Sequence, residues 1–334
     1  MSRQRLEELD LAKGLAIFLV VFGHLVTGPD PIGNSWYVTL KVLVYEFHMP
    51  FFMFLSGAVF QVTFRASGEF RATLQFIASR VQRLLPAFVL FSAIIWAGKH
   101  AASQFLTVNN FDSRGFTELV EIYLSPSTSV ARSLWYIYVL LQLYAMFAIV
   151  MTITRGSLIP AFVLAALLRA LYQFAHVPTT LGANLLCEYA IFFVIGMAFA
   201  RSFQVVMPWL KDRALLLYCV FACSFLSMLV LPHPWTKAII GLASLPAVLV
   251  FASSFTSARD QDALRLLGEY TFTIYLMNTL FIGFFKGVML KFIPWDGLYF
   301  VLHFFVLLAV GVLGPIAVHK LIFTRIPPLA RITK

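Results

Sequence analysis

Charge is what this sequence has least of. Only 12% of its 334 residues are Asp, Glu, Lys or Arg, and 60% are hydrophobic; a soluble domain has roughly 25% and 45–50%. So few charges cannot cover a water-facing surface, which excludes an ordinary soluble chain and leaves lipid as the solvent. Cysteine is also scarce: Cys187, Cys219 and Cys223 all fall inside apolar segments. They form no disulfide framework and have no His or Cys partners at zinc spacing, so they read as small apolar residues and no metal site is expected. Runs of Lys/Arg interleaved with aromatics are absent, so the net charge of +10 does not point to nucleic acid. Cations held on the cytoplasmic side of a bilayer account for it better. A cleavable leader is not expected either. Glu7, Glu8 and Asp10 crowd the flank of the first apolar run, and no small-residue cleavage site follows it.

What the chain does have is long apolar runs and 35 Phe. A spanning helix needs about 20 mainly apolar residues. Ten segments qualify or come close: Lys13–Thr27, Phe47–Phe64, Leu84–Gly98, Ser133–Thr154, Leu158–Phe174, Leu185–Phe203, Ala214–Leu231, Lys237–Phe255, Tyr270–Leu290 and Leu298–Phe323. The first and third are short and are expected to extend further. Pro and Gly punctuate the gaps, as at Pro29, Pro31 and Gly33, or Pro232 and Pro234. With the N-terminus inside, 17 Lys/Arg fall on the cytoplasmic side and 6 on the other, favouring cytoplasmic termini. Trp96, Trp135, Trp235 and Trp295 lie near segment ends, where aromatic belts form. The expectation is an all-α polytopic protein of the cell (inner or plasma) membrane. It would form one transmembrane domain over 1–334, with about ten helices and one outer loop near 99–132.

Ionisable residues inside a membrane are costly and are by default functional candidates. In the first segment Lys13 and His24 stand 11 residues apart. At about 100° and 1.5 Å per residue they share one helix face, about 16 Å apart along the axis. Asp10, three residues before Lys13, is its neighbour. Lys13 alone is equally well read as snorkelling to headgroups, and His24 as a structural hydrogen-bond donor. The stretch Phe47–Gly57 places His48 near the outer end of the second helix, with Pro50 in its first turn. There His48 either shares a polar pocket with His24 or simply caps the helix. Arg80 and Arg83, three apart at the cytoplasmic entry to the third helix, suit phosphate recognition, or merely obey the positive-inside rule.

Together these stretches resemble the acyltransferase-3 family, membrane enzymes that move acyl groups onto sugars and other hydroxyl acceptors. Lys13 to His24 resembles its signature of Arg or Lys, ten residues, then His; Phe47–Gly57 and Arg80/Arg83 resemble two further signatures. The Leu9-Asp10 and Lys13-Gly14 pairs, Leu134-Trp135-Tyr136, Leu267-Gly268-Glu269-Tyr270 and Ile274-Tyr275-Leu276 are similar too. The likeness runs over roughly residues 5–320. It implies acyl-CoA, acetyl-CoA in particular, as donor substrate with no bound cofactor, and a carbohydrate or other hydroxyl as acceptor. Lys13, Arg80 and Arg83 would meet the donor's phosphates, with Trp135 and Tyr136 also in substrate contact. His24 would be the general base, His48 its helper, and Asp10 an organiser of Lys13 or the arginines. Where many members carry a late His this chain has Asn278, which could hydrogen-bond substrate. The rival reading is a transporter or exporter of a glycan intermediate or small solute. Against it, the ionisable positions cluster in the first three helices instead of recurring in matching halves.

Overall fold

The computed structural model describes residues 3–66, 68–105 and 115–333, and among these every regular element is helical. In chain order they are α1 (Arg3–His24), α2 (Ser35–Thr63), α3 (Phe70–Ser103), α4 (Thr117–Leu124), α5 (Trp135–Ile153), α6 (Leu158–Phe174) and α7 (Ala183–Arg201). There follow α8 (Phe203–Lys211), α9 (Ala214–Ser224), α10 (His233–Ser253), α11 (Ala258–Glu269), α12 (Thr271–Met289), α13 (Tyr299–Leu321) and α14 (Pro327–Thr333).

All ten expected apolar segments fall on helix, but they do not all meet the same standard. Seven helices are long and apolar enough to cross a membrane: α2, α3, α5 with its leading turn, α7, α10, α12 and α13 with its trailing turn. An eighth span arises if α8 and the helix over 214–229, bent by 81°, act as one. α6 has 17 residues, and the sequence of α1 includes Glu7, Glu8, Asp10 and Lys13. The chain is thus all-helical and multi-pass. Its outward faces agree: Leu167, Leu171, Leu215, Phe284, Phe305 and Leu313 are exposed, and α9 has no buried residue.

Two boundaries differ from expectation, and both matter for the site. α2 starts at Ser35, so His48 and Pro50 lie in mid-helix rather than at its outer end. There Pro50 lacks the N–H that would bond the carbonyl of Glu46. α3 begins at Phe70, so Arg80 and Arg83 project from within a 34-residue helix, about 51 Å long. Both extensions recruit polar residues, such as Lys41 and Arg71, that an apolar window excludes. The expected outer loop is partly helical, through the end of α3 and α4; its stretch 106–114 lies outside the described residues.

The core is a Phe-rich seam in which α2 packs chiefly on α7. Their backbones touch because glycine sits at both crossing points. A Cβ on Gly57 would overlap the carbonyl of Phe193, and one on Gly196 that of Phe54. Phe60, Phe147, Phe192 and Phe193 fill the adjoining space. α1 is held between α2, α11 and α12.

Candidate functional site

α1 sets the axis of the site, since Lys13 and His24 belong to one unbroken helix. Near its start Lys13 pairs with Asp10 at 2.5 Å, the i, i+3 geometry the spacing predicts. This end is pinned by α11. A Cβ on Gly14 would overlap the carbonyl of Leu264, and one on Gly268 the carbonyl of Asp10. The Gly14 and Gly268 positions quoted for the resemblance are therefore backbone contact points between two helices.

His24 ends α1, where carbonyls lack intrahelical partners. α2 supplies them. Tyr37 donates to Phe22 O at 2.8 Å, Tyr45 to Gly23 O at 3.0 Å, and Lys41 Nζ to Val26 O at 2.6 Å. Their four-residue spacing puts all three on one face of α2, and the Lys41 cation suits the negative end of the α1 dipole. Sequence reasoning passed over this clamp. The signal was present as Tyr-x3-Lys-x3-Tyr, but it falls before the apolar run. Above the clamp the α1–α2 loop is stitched to the α12–α13 loop. Ile32 N donates to Asp296 Oδ1 (2.6 Å), Asn34 Nδ2 to Gly297 O (2.9 Å) and Trp295 Nε1 to Pro29 O (3.1 Å).

The ring of His24 donates from Nδ1 to Asn278 Oδ1 at 2.7 Å. The amide of Asn278 in turn donates to Ile274 O (2.8 Å) and Tyr275 O (3.0 Å). His48 sits within electrostatic reach of His24, yet among the described residues no hydrogen bond joins the two rings. His48 Nδ1 bonds Val44 O at 2.9 Å, and its ring lies 4.9 Å from that of Tyr45. The shared polar pocket expected for the two imidazoles is thus a pairing of His24 with Asn278, with His48 beside it.

On the Lys13 side a cavity of about 240 Å³ opens between α1, α2, α3, α5, α11 and α12, lined by Lys13, Arg80, Arg83, Ser56, Tyr136 and Glu269 among others. The three expected cations are therefore brought together. The guanidinium of Arg80 lies over Phe76 (4.8 Å) and Tyr144 (5.6 Å), and that of Arg83 over Phe272 (5.5 Å). Neither forms an ion pair among the described residues, and the Nε of each is buried without a hydrogen-bond partner. Two half-buried guanidiniums with no carboxylate partner favour an incoming anion.

The cavity stops short of the imidazoles. Its inner end is closed by Phe52, Tyr136 and Tyr275, whose ring centroids are 4.9–6.5 Å apart. Phe52 is four residues from His48 on α2, and Tyr275 three from Asn278 on α12, about one turn in each case. Tyr136 and Ser56 are hydrogen-bonded at 2.6 Å, with Ser56 donating onward to Phe52 O. Tyr275 donates to Ser133 O at 2.6 Å.

Trp135 lies apart from this cavity. It stacks on Tyr189 at 5.2 Å, over which Lys237 Nζ sits at 5.2 Å. Lys237 pairs with Glu188 at 2.7 Å, both side chains largely buried. Glu46 lies near them, 3.5 Å from His233. This second cluster joins α2, α7 and α10. The sequence does not single it out, because Lys237 opens an expected apolar segment and Glu46 and Glu188 carry no motif. No cluster of three or more His, Cys, Asp or Glu able to hold a metal occurs among the described residues.

Two curated relatives are both nodulation protein NolL. The one from Mesorhizobium japonicum is 28% identical over 200 residues, 58% of this chain and 47% of the relative. The one from Sinorhizobium fredii is 27% identical over 227 residues, 66% of this chain and 56% of the relative. The chain thus spans about half the length of these relatives. No solved structure gives a significant match. The family model described as an acyltransferase domain matches residues 6–320, nearly the whole length. This chain belongs to the acyltransferase-3 family.

Proposed function

We propose that the protein is an integral membrane O-acyltransferase that moves an acetyl group from acetyl-CoA to a hydroxyl of a cell-envelope carbohydrate. One observation carries the reading. A single helix bears a cation at a cavity that also holds two guanidiniums without ion-pair partners and, 11 residues on, an imidazole tied into the protein interior. Lys13, Arg80 and Arg83 meet the donor's phosphates at the cytoplasmic face, and its pantetheine arm follows the cavity toward His24. The rise of about 16 Å from Lys13 to His24 suits such an arm. The rings of Phe52, Tyr136 and Tyr275 then part to admit the thioester.

His24 accepts the proton of the acceptor hydroxyl as that oxygen attacks the thioester carbonyl. The C–S bond breaks, the ester forms, and the proton passes from the imidazole to the departing thiolate. His48 cannot donate a second hydrogen bond while neutral, because its one N–H faces Val44 O; we assign it to shaping the polar site. Asp10 holds Lys13 in place. Trp135 acts at one remove, fixing the start of α5 and so Tyr136. The bilayer arrangement that serves this chemistry counts α1 and α6 as spans, giving ten, with both termini cytoplasmic. The acceptor enters from the opposite face.

The test is transfer of labelled acetyl from acetyl-CoA by purified protein, using envelope glycans from cells lacking the gene. His24→Ala is expected to lower kcat by at least 100-fold, a general base contributing about 10²–10⁴. Full activity in that variant removes the proposed base.

A further inference from the structure

The atom of His24 that takes the proton follows from its partner. The side chain of Asn278 is fully buried, and its amide nitrogen donates to two carbonyls of its own helix, Ile274 O and Tyr275 O. Turning the amide over would set its oxygen against those two carbonyls at 2.8 and 3.0 Å. It would also leave a buried NH2 facing the imidazole, so the observed orientation is strongly preferred. An oxygen therefore faces His24, and the ring nitrogen 2.7 Å away must carry hydrogen. The ring has little freedom to escape this partner. Its backbone is fixed by the Tyr37, Lys41 and Tyr45 clamp, and α12 packs directly against α1.

We propose that Asn278 is a positioning residue that locks His24 in the Nδ1–H tautomer, so that Nε2 is the atom that accepts the acceptor's proton. The proposal rests on the reading of His24 as general base. Among the described residues Nε2 forms no hydrogen bond, which leaves its lone pair for substrate. The proton moves from the acceptor hydroxyl to Nε2, and from Nε2 to the sulfur of the leaving thiolate, while Nδ1–H stays on Asn278 throughout. An amide suits this task better than a carboxylate. It accepts the N–H equally well but adds no charge, so it does not favour imidazolium before the acceptor arrives. The same residue was expected from sequence to touch substrate; here its three hydrogen bonds are all internal.

The experiment is 15N spectroscopy of histidine-labelled protein in lipid nanodiscs, alongside kinetics of the wild type, Asn278→Asp and Asn278→Leu. His24→Ala assigns the His24 signals. The wild type is expected to show His24 protonated at Nδ1. In Asn278→Leu both tautomers are expected, with kcat lowered by about threefold to tenfold, since only the Nδ1–H fraction leaves Nε2 free and the ring is no longer held in place. KM for acetyl-CoA stays within about twofold. Asn278→Asp keeps an acceptor oxygen toward His24 while its other oxygen, protonated, donates to Ile274 O or Tyr275 O, so it keeps the tautomer and most of kcat.

The proposal is overturned if wild-type His24 carries its hydrogen on Nε2. It is equally overturned if Asn278→Leu raises KM for acetyl-CoA with kcat unchanged, which would make Asn278 a substrate contact. Should Asn278→Leu fail to fold, the wild-type spectrum and Asn278→Asp still decide. A wild type that transfers no acetyl group, with His24 still protonated at Nδ1, sinks the transferase reading while leaving the tautomer assignment standing.

Discussion

Residues in this site matter by what they leave unpaired as much as by what they bind. Arg80 and Arg83 face a cavity without carboxylate partners, so removing either charge costs ligand binding more than folding. Arg83→Gln is expected to raise KM for acetyl-CoA by about tenfold or more, with kcat changed far less; a charge-assisted hydrogen bond is worth about 1.5–3 kcal/mol. Arg83→Lys should recover only part of this, since a point charge replaces a planar fork stacked on Phe272. Steady-state kinetics with acetyl-CoA varied is the check, and an unchanged KM in Arg83→Gln would remove it from the donor site. Glu188 and Lys237 show the opposite behaviour. Breaking their buried pair with Lys237→Met leaves an uncompensated carboxylate, expected to cost about 3–5 kcal/mol. Adding Glu188→Gln should restore much of the loss. Thermal unfolding in detergent reads both, and a double variant no better than the single one would contradict the pairing.

Helices determine where these residues stand, and the decisive contacts are between backbones. Gly14 and Gly268 let α1 and α11 touch, which places Lys13 at the mouth of the cavity. Gly268→Val is expected to push α11 away, because the overlap is with a carbonyl rather than a flexible side chain. Binding of acetyl-CoA should fall together with stability, measurable by calorimetry and by unfolding; unchanged values for both would show that α11 yields without cost. Much of this element layer was legible in sequence. The i, i+3 pairing of Asp10 with Lys13 and the shared face of Lys13 and His24 follow from helical periodicity alone. The start of α2 was not, because Trp36, Lys41 and Glu46 break an apolar window. Only packing against α1 and α7 reveals why the helix continues through them. For the same reason Pro50 looked like a helix start and proved to be interior.

Across the whole molecule, asymmetry of charge and the run of apolar helices define a multi-pass protein whose site opens toward one face. The orientation proposed here places Asp260, in α11, on the cytoplasmic side and Asp296, between α12 and α13, outside. Single cysteines at these positions, in a background lacking Cys187, Cys219 and Cys223, should react with an impermeant thiol reagent in intact cells only at 296. Labelling at 260 alone would invert the topology. The sequence by itself determined the solvent, the helical class and the family, and offered most of the candidate side chains, because hydropathy and helical spacing are local properties. Only tertiary structure decided which of those side chains meet. It paired His24 with Asn278, 254 residues away, gathered Lys13, Arg80 and Arg83 round one cavity, and moved Trp135 into another cluster. Contacts between distant helices depend on which faces pack, and that is settled by glycine contacts and buried hydrogen bonds that no single segment encodes.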